Sequence, residues 1–279
     1  MGRCGVKRIL TIQDISCTGR CSLTVALPVL SAMGVECAVL PTAVLSTHTA
    51  YSGFTFRDLT DDLLPVARHW AEEGFSFDLI LVGYLGSARQ IEIVRQVIGM
   101  LKQPGTEVLI DPVMGDNGRL YSGFTPDFVR EMAAFAGEAD CLIPNATEAC
   151  FLLGREYAPL ADEASAGELA SALLSLGSGN VCLTGTPMGD RLGCVIRGGA
   201  GEYSASAPQI PASYHGTGDL FAAAFAGARA IGRDYGEAAG IAAECTSRAI
   251  ALTLDSGDDA RRGVRCEAAR PHLRKRLYE

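Results

Sequence analysis

The sequence predicts an α/β protein built on a mainly parallel sheet with helices on both faces, and three observations carry that prediction. Short runs of β-branched and aliphatic residues alternate with longer amphipathic stretches through most of the chain. Many of these runs are apolar throughout rather than alternating, as strands covered on both faces are. Polar or Gly-bearing segments follow the runs in turn, where the carboxyl ends of parallel strands would collect a ligand.

Taken in order, residues 6–12 read as the first strand, rich in β-branched side chains. A polar loop over 14–21 leads to a helix from about Ser22, which Pro28 should bend or interrupt. Residues 35–40 form a second strand, followed by a polar loop over 42–53. An amphipathic helix opens at 58–62 and reaches about Glu73. Residues 79–82 are a strand ending at Gly83-Tyr84, and 89–101 a helix. Residues 107–110 are a strand ending at Asp111-Pro112, and Thr125-Pro126-Asp127 has the cap and first-turn chemistry of the next helix. Residues 140–143 are a strand, and 146–153 and 164–176 are helices. The rhythm then changes. Three runs with Gly-rich turns, 180–184, 193–196 and 202–205, read as an antiparallel addition to the sheet. Helices over 220–230 and 235–254 and a charged C-terminal piece complete the chain. No linker, repeat or low-complexity segment divides it, so residues 1–279 read as one domain.

Composition narrows the function. A hydrophobic fraction of 48% with 20% charged residues suits a soluble protein with a large core. The net charge of −8 leaves no electrostatic footprint for nucleic acid or an anionic membrane. Lys7, Lys102 and Lys275 are the only lysines and none follows a glycine, so a Walker A loop is absent. The ten cysteines are scattered without a Cys-x-x-Cys pair and the four histidines lie far apart, which argues against structural zinc. They read as buried thiols in a reducing compartment. Residues 1–6 carry no apolar signal core, and the expected location is cytoplasmic.

The strongest motif is Gly216-Thr217-Gly218-Asp219 ahead of the Ala-rich run 220–226. Two glycines at a helix start bring bare backbone N–H groups and the positive end of the helix dipole to a ligand, which suits a phosphate. A carboxylate at that place repels an anion, but it fits a base that takes a proton from an attacking hydroxyl. Otherwise Asp219 only complements the dipole of a buried helix. Asp111 and Asp116, five residues apart after a strand, suit Mg²⁺ directly or through its waters, or are solvated acids of a proline turn. Asn145 and Glu148 have capping-box spacing, which needs no ligand. Only convergence with Asp111 and Asp116 makes Glu148 a metal candidate. Ser46-Thr47-His48-Thr49 offers donors and acceptors for a small ring, with His48 itself reading as structural. Tyr84 and Tyr121 are placed to close over an aromatic substrate, or are ordinary half-buried tyrosines. His215 and Tyr214 read as loop packing.

Thr11-Ile12-Gln13, Ser46 to Thr49, Gly83-Tyr84, Asp111 to Asp116 with Tyr121, Pro144-Asn145-x-x-Glu148, Thr184 and Gly216 to Asp219 stand in one order over residues 7–254. In this the chain resembles the pyridoxal (vitamin B6) kinase family of ribokinase-like kinases. The resemblance implies a ribokinase-like α/β/α fold without a separate β-lid, because the segment between Leu40 and Asp58 is too short for one. It implies ATP-dependent phosphorylation of the 5′-hydroxymethyl group of pyridoxal, pyridoxine or pyridoxamine, with Mg²⁺, often a monovalent cation, and a homodimer. By the same resemblance Asp219 is the base and Gly216, Thr217 and Gly218 the anion hole. Asp116 and Glu148 are the Mg²⁺-water ligands with Asp111 near the cations, Asn145 and Thr184 contact phosphate, and Gln13, Thr49 and Tyr84 line the substrate pocket. Two residues depart from the family pattern: Asp14 stands where Ser is common, and Ile143 where a Thr would serve a monovalent cation. Hydroxymethylpyrimidine kinases are similar but typically carry Cys in place of Asp219. A non-catalytic B6- or ATP-binding regulator would have lost the base or the anion loop, and both are present.

Overall fold

The computed structural model describes residues 5–278, so the reading of the first four residues lies outside it. Its framework is one nine-stranded sheet in the order β11-β10-β9-β8-β5-β4-β1-β2-β3. The parallel strands are β1 (Arg8–Ser16), β2 (Glu36–Leu45), β4 (Leu79–Val82), β5 (Glu107–Ile110), β8 (Cys141–Leu142) and β9 (Asn180–Met188). β10 (Arg191–Gly198) and β11 (Tyr203–Pro208) extend it as the expected antiparallel addition. At the other edge β3 (Phe56–Asp58) returns antiparallel along β2. The segment between Leu40 and Asp58 thus stays in the main sheet and builds no second one.

Successive strand residues point to opposite faces, and each face has its own core. Ile9, Leu79, Leu81 and Leu109 pack under α1 (Leu23–Ala32), α7 (Thr217–Ala230), α8 (Tyr235–Ser256) and α9 (Cys266–Tyr278). Leu10, Ile12, Ile80, Val82 and Ile110 pack under α2 (Thr60–Glu72), α3 (Ala88–Leu101), α4 (Pro126–Ala136), α5 (Ala146–Leu152) and α6 (Glu163–Leu173). The result is the three-layer α/β/α sandwich the sequence predicts.

Several boundaries differ from the sequence reading, each for a physical reason. β1 runs on through Asp14 to Ser16 and β2 to Leu45, because polar side chains at the carboxyl ends of these strands face a cavity rather than ending the ladder. Helix α1 continues through Pro28. Full burial of Val25, Ala26, Val29 and Leu30 around it offsets the roughly 3 kcal/mol that an interior proline costs. The sequence reading contained no hairpin at β6 (Gly115–Asp116) and β7 (Arg119–Leu120). Asn117 and Gly118 join these strands at φ 50° and 73°, a two-residue turn of the kind Asn-Gly favours.

The chain runs from β1 outward to β2 and β3, then crosses back to β4 on the other side of β1. This reversal opens a crevice at the carboxyl ends of β1 and β4. Gly83 closes its floor: a Cβ there would lie 2.7 Å from the Gln13 side-chain oxygen.

Candidate active site

All six polar segments that follow predicted strands meet the start of α7 around one cavity of about 580 Å³. α7 begins at Gly216, which has φ 80° and ψ 4°. A Cβ at Gly216 would stand 2.1 Å from the Arg20 carbonyl oxygen, so the turn requires glycine twice over. No side chain caps this helix through its N-cap residue, which leaves first-turn N–H groups for a ligand. A Cβ on Gly218 would meet nothing, so open space lies beside that residue. The Thr217 hydroxyl donates to the Tyr214 carbonyl at 3.2 Å and steadies the turn.

Asp219 lines the cavity within that first turn. Burial and, more weakly, the charge of Asp14 push its carboxyl up to about 6, while the Ser22 backbone N–H pulls the other way. At neutral pH it is mostly ionised and only moderately basic, which suits proton acceptance. Beside it, the Cys21 thiol is pushed up to about 12 by burial and by Asp219, and is therefore no nucleophile.

Asp14 and Gln13 part company at a bulge in β1, where the register shifts between Gln13 and Ile15. Asp14 lines the cavity, and the Ser16 hydroxyl donates to it at 3.3 Å. Burial raises its pKa above the usual carboxylate range, partly offset by hydrogen bonds from Ser22 and Ser16. Gln13 is not brought to the cavity wall; its amide donates to the Thr11 hydroxyl at 2.7 Å and fills the gap over Gly83. Thr49 and Tyr84 do line the cavity. Tyr84 lies 5.8 Å from Phe124, which stacks on Phe128 at 4.2 Å, giving one side an aromatic wall.

Another group of the lining residues is acidic. Asn145 and Glu148 form the capping box: the Glu148 N–H donates to Asn145 Oδ1 at 3.0 Å and the Asn145 N–H to Glu148 Oε2 at 2.9 Å. The Met114 N–H takes the other Glu148 oxygen at 3.2 Å. Asn145 also donates to the Gly115 carbonyl at 2.9 Å, so both ends of its amide are engaged within the protein. Burial nevertheless pushes Glu148 up to about 8, and pushes Asp111 well above the usual carboxylate range with help from Glu148 and Asp219. Asp116 is exposed at the hairpin and accepts from the Asn117 N–H at 2.8 Å. The Thr184 hydroxyl donates to the Pro144 carbonyl at 3.2 Å. Among the described residues no three His, Cys, Asp or Glu side chains could hold a metal ion by themselves.

One part of the cavity wall was absent from the sequence reading: residues 258–264, a strap between α8 and α9. The Arg20 N–H donates to the Arg262 carbonyl at 2.9 Å, and the Val264 N–H to the His215 carbonyl at 2.9 Å. His48 pins it from below. Its Nδ1 accepts from the Ala50 N–H at 3.3 Å, so Nε2 carries the proton donated to the Arg261 carbonyl at 2.5 Å. The His48 ring stands 4.8 Å from that of His215 and occupies a slot beside Gly19 that a Cβ would fill. His48 is thus the structural histidine the sequence suggests. Nothing in the composition of 258–264 announces the strap, because all of these contacts are remote in sequence.

The model of the phosphomethylpyrimidine kinase family matches residues 24–263. The chain belongs to that family. Its relatives include pyridoxal kinase PdxY of Rubrobacter xylanophilus, 31% identical over 92% of this chain and 91% of the relative. A Bacteroides thetaiotaomicron protein assigned to the phosphomethylpyrimidine kinases and crystallised with pyridoxal is 36% identical. It superposes with a TM-score of 0.90 over 96% of each chain. Pyridoxal kinase of Lactobacillus plantarum is 33% identical with a TM-score of 0.88, over 98% of this chain and 97% of that one. These likenesses bear out the resemblance to pyridoxal kinases and the ribokinase-like fold. No helix among the described residues is long and apolar enough to cross a membrane.

Proposed function

We propose that this protein phosphorylates the 5′-hydroxymethyl group of a B6 vitamer with ATP. The observation that carries the reading is Asp219, an ionised carboxylate in the first turn of an uncapped helix that opens onto a cavity with an aromatic wall. The pyridoxal kinases among its relatives, and the pyridoxal in the Bacteroides crystal, support the choice of substrate. Asp219 accepts the hydroxyl proton as attack proceeds, and the N–H groups of Gly216, Thr217 and Gly218 hold the charge of the moving phosphoryl group. Thr49, Asp14 and Tyr84 hold the ring. Gln13 supports them from within the sheet. Asn145 and Thr184 lie where phosphate would pass.

Asp111 and Glu148 are buried carboxylates on one cavity wall, and burial keeps both from ionising freely, which suits a divalent cation. Mg²⁺ would be held there and by Asp116, directly or through water, and when bound neutralises phosphate charge. Ile143 lines the same region, and its side chain offers no oxygen to a monovalent ion.

The decisive assay measures ATP consumption with pyridoxal, pyridoxine, pyridoxamine and hydroxymethylpyrimidine. Turnover of the B6 vitamers is expected. Turnover of the pyrimidine alone would transfer the activity to thiamine precursors, and nucleotide binding without turnover would make the protein a regulator.

Asp219 also sets a pH dependence. With its carboxyl near 6, kcat/KM should be level above about pH 7 and fall roughly tenfold per unit below pH 6. A flat profile between pH 5 and 7 would remove Asp219 as the base.

Asp14 sets a preference among vitamers. An ionised carboxylate accepts but cannot donate, so it favours a protonated ring nitrogen or the 4′-amine of pyridoxamine. Asp14→Ser should cost pyridoxamine about ten- to a hundredfold in kcat/KM relative to pyridoxal, the worth of one charge-assisted hydrogen bond. An equal change for all three vitamers would mean that Asp14 does not read the 4′ substituent.

A further inference from the structure

Among the described residues the cavity is lined by five carboxylates, those of Asp14, Asp111, Asp116, Glu148 and Asp219, and by a single arginine or lysine, Arg261. Arg261 sits on the strap, at the end of the cavity where the ring is placed. Its carbonyl is held by His48, the neighbour of Thr49 in the chain, and its guanidinium lies 5.5 Å over the Tyr51 ring. His48 and Asp14 line the same cavity. Asp259 accepts from Arg261 Nε at 3.1 Å and from Nη2 at 2.7 Å, which orients the guanidinium. Its Nη1 has no hydrogen-bond partner among the described residues.

The B6 ring is a 3-hydroxypyridine. In neutral water it exists largely as a zwitterion, with a proton on the ring nitrogen and an anionic oxygen one ring carbon away. The anionic half would meet an acidic cavity were no cation at hand.

We propose that Arg261 is a specificity-determining residue that receives the anionic ring oxygen of the substrate. This rests on the B6 reading of the site. Asp259 and Tyr51 hold the guanidinium, whose side chain is 65% exposed, and a ligand oxygen takes the free edge of the fork without breaking either contact.

The test compares pyridoxine with its 3-deoxy analogue, which lacks the ring oxygen, by calorimetric binding without nucleotide. Wild type, Arg261→Gln and Arg261→Lys are used, and both substitutions leave intact the backbone carbonyl that His48 needs. Arg261→Gln should weaken pyridoxine binding about ten- to a hundredfold and leave the analogue unaffected, with Arg261→Lys between. In turnover the same split should appear in KM for pyridoxine, with KM for ATP unchanged. Equal weakening of both ligands, no weakening of either, or a shift in KM for ATP instead would overturn the assignment. Because binding is read without ATP, a protein that shows the split yet transfers no phosphate refutes the kinase reading and leaves Arg261 in place. A wild type that binds no vitamer overturns both.

Discussion

Asp219→Asn should leave the fold and ATP binding intact and lower kcat by about 10²- to 10⁴-fold, the range for a general base. The amide matches the carboxylate in shape and can still accept from the Ser22 N–H, but it cannot take a proton. Thermal stability should not fall. The wild-type carboxyl lies near 6, above its ordinary 3.8, so the stability tied to its protonated form is complete below about pH 3.8 and lost as pH rises through 6. A neutral amide escapes that loss, and at pH 8 the variant should melt no lower than wild type. Near wild-type turnover would refute the assignment. Asp219→Cys is the companion, since it copies the residue typical of hydroxymethylpyrimidine kinases.

Glu148→Ala should be damaging in two separable ways. It strips the acceptor from the buried N–H groups of Asn145 and Met114, at a cost of about 1–3 kcal/mol. It also removes a carboxylate from the cavity wall proposed for Mg²⁺. Because Glu148 titrates near 8 rather than its ordinary 4.5, its protonated form stabilises the fold fully below about pH 4.5 and loses that effect as pH rises through 8. The stability gap between wild type and variant should therefore be wide at pH 5 and narrow toward pH 8. Asp116→Ala separates the metal effect, because Asp116 is exposed and its side chain bonds only to its neighbour Asn117 among the described residues. It should raise the Mg²⁺ needed for half-maximal rate with little change in melting temperature. If Glu148→Ala lowers stability and leaves the Mg²⁺ requirement alone, the capping box is its whole role.

The sheet was legible because strands covered on both faces are apolar nearly throughout, as residues 79–82 and 108–110 are. The first two strands were underestimated because a strand whose end faces a ligand looks like a loop: Asp14, Ser16 and Thr42 are polar, yet all three are buried within β1 or β2. The Asn117-Gly118 hairpin did carry its signal, but two-residue strands leave no periodicity to corroborate it. The convergence of Asp14, Asp111, Glu148 and Asp219 was foreseeable from the ends of parallel strands. The displacement of Gln13 from the cavity was not, because a bulge is invisible to a period-two count. Arg261 was beyond reach, since its place depends on partners more than 200 residues away, such as His48.

That distance bears on how the molecule comes into being. Arg20 and Gly263 are 243 positions apart, yet they form the bridge that closes the wall beside the anion loop. On a ribosome every strand of the sheet is made before residue 258 emerges, so the two hydrophobic layers can begin to condense while the pocket still lacks a side. Joining ends so remote is slow relative to local helix formation. Nascent chains should thus acquire a compact scaffold first and affinity for small molecules only once residues 258–264 have joined it, which makes ligand binding a report on the closing of this wall.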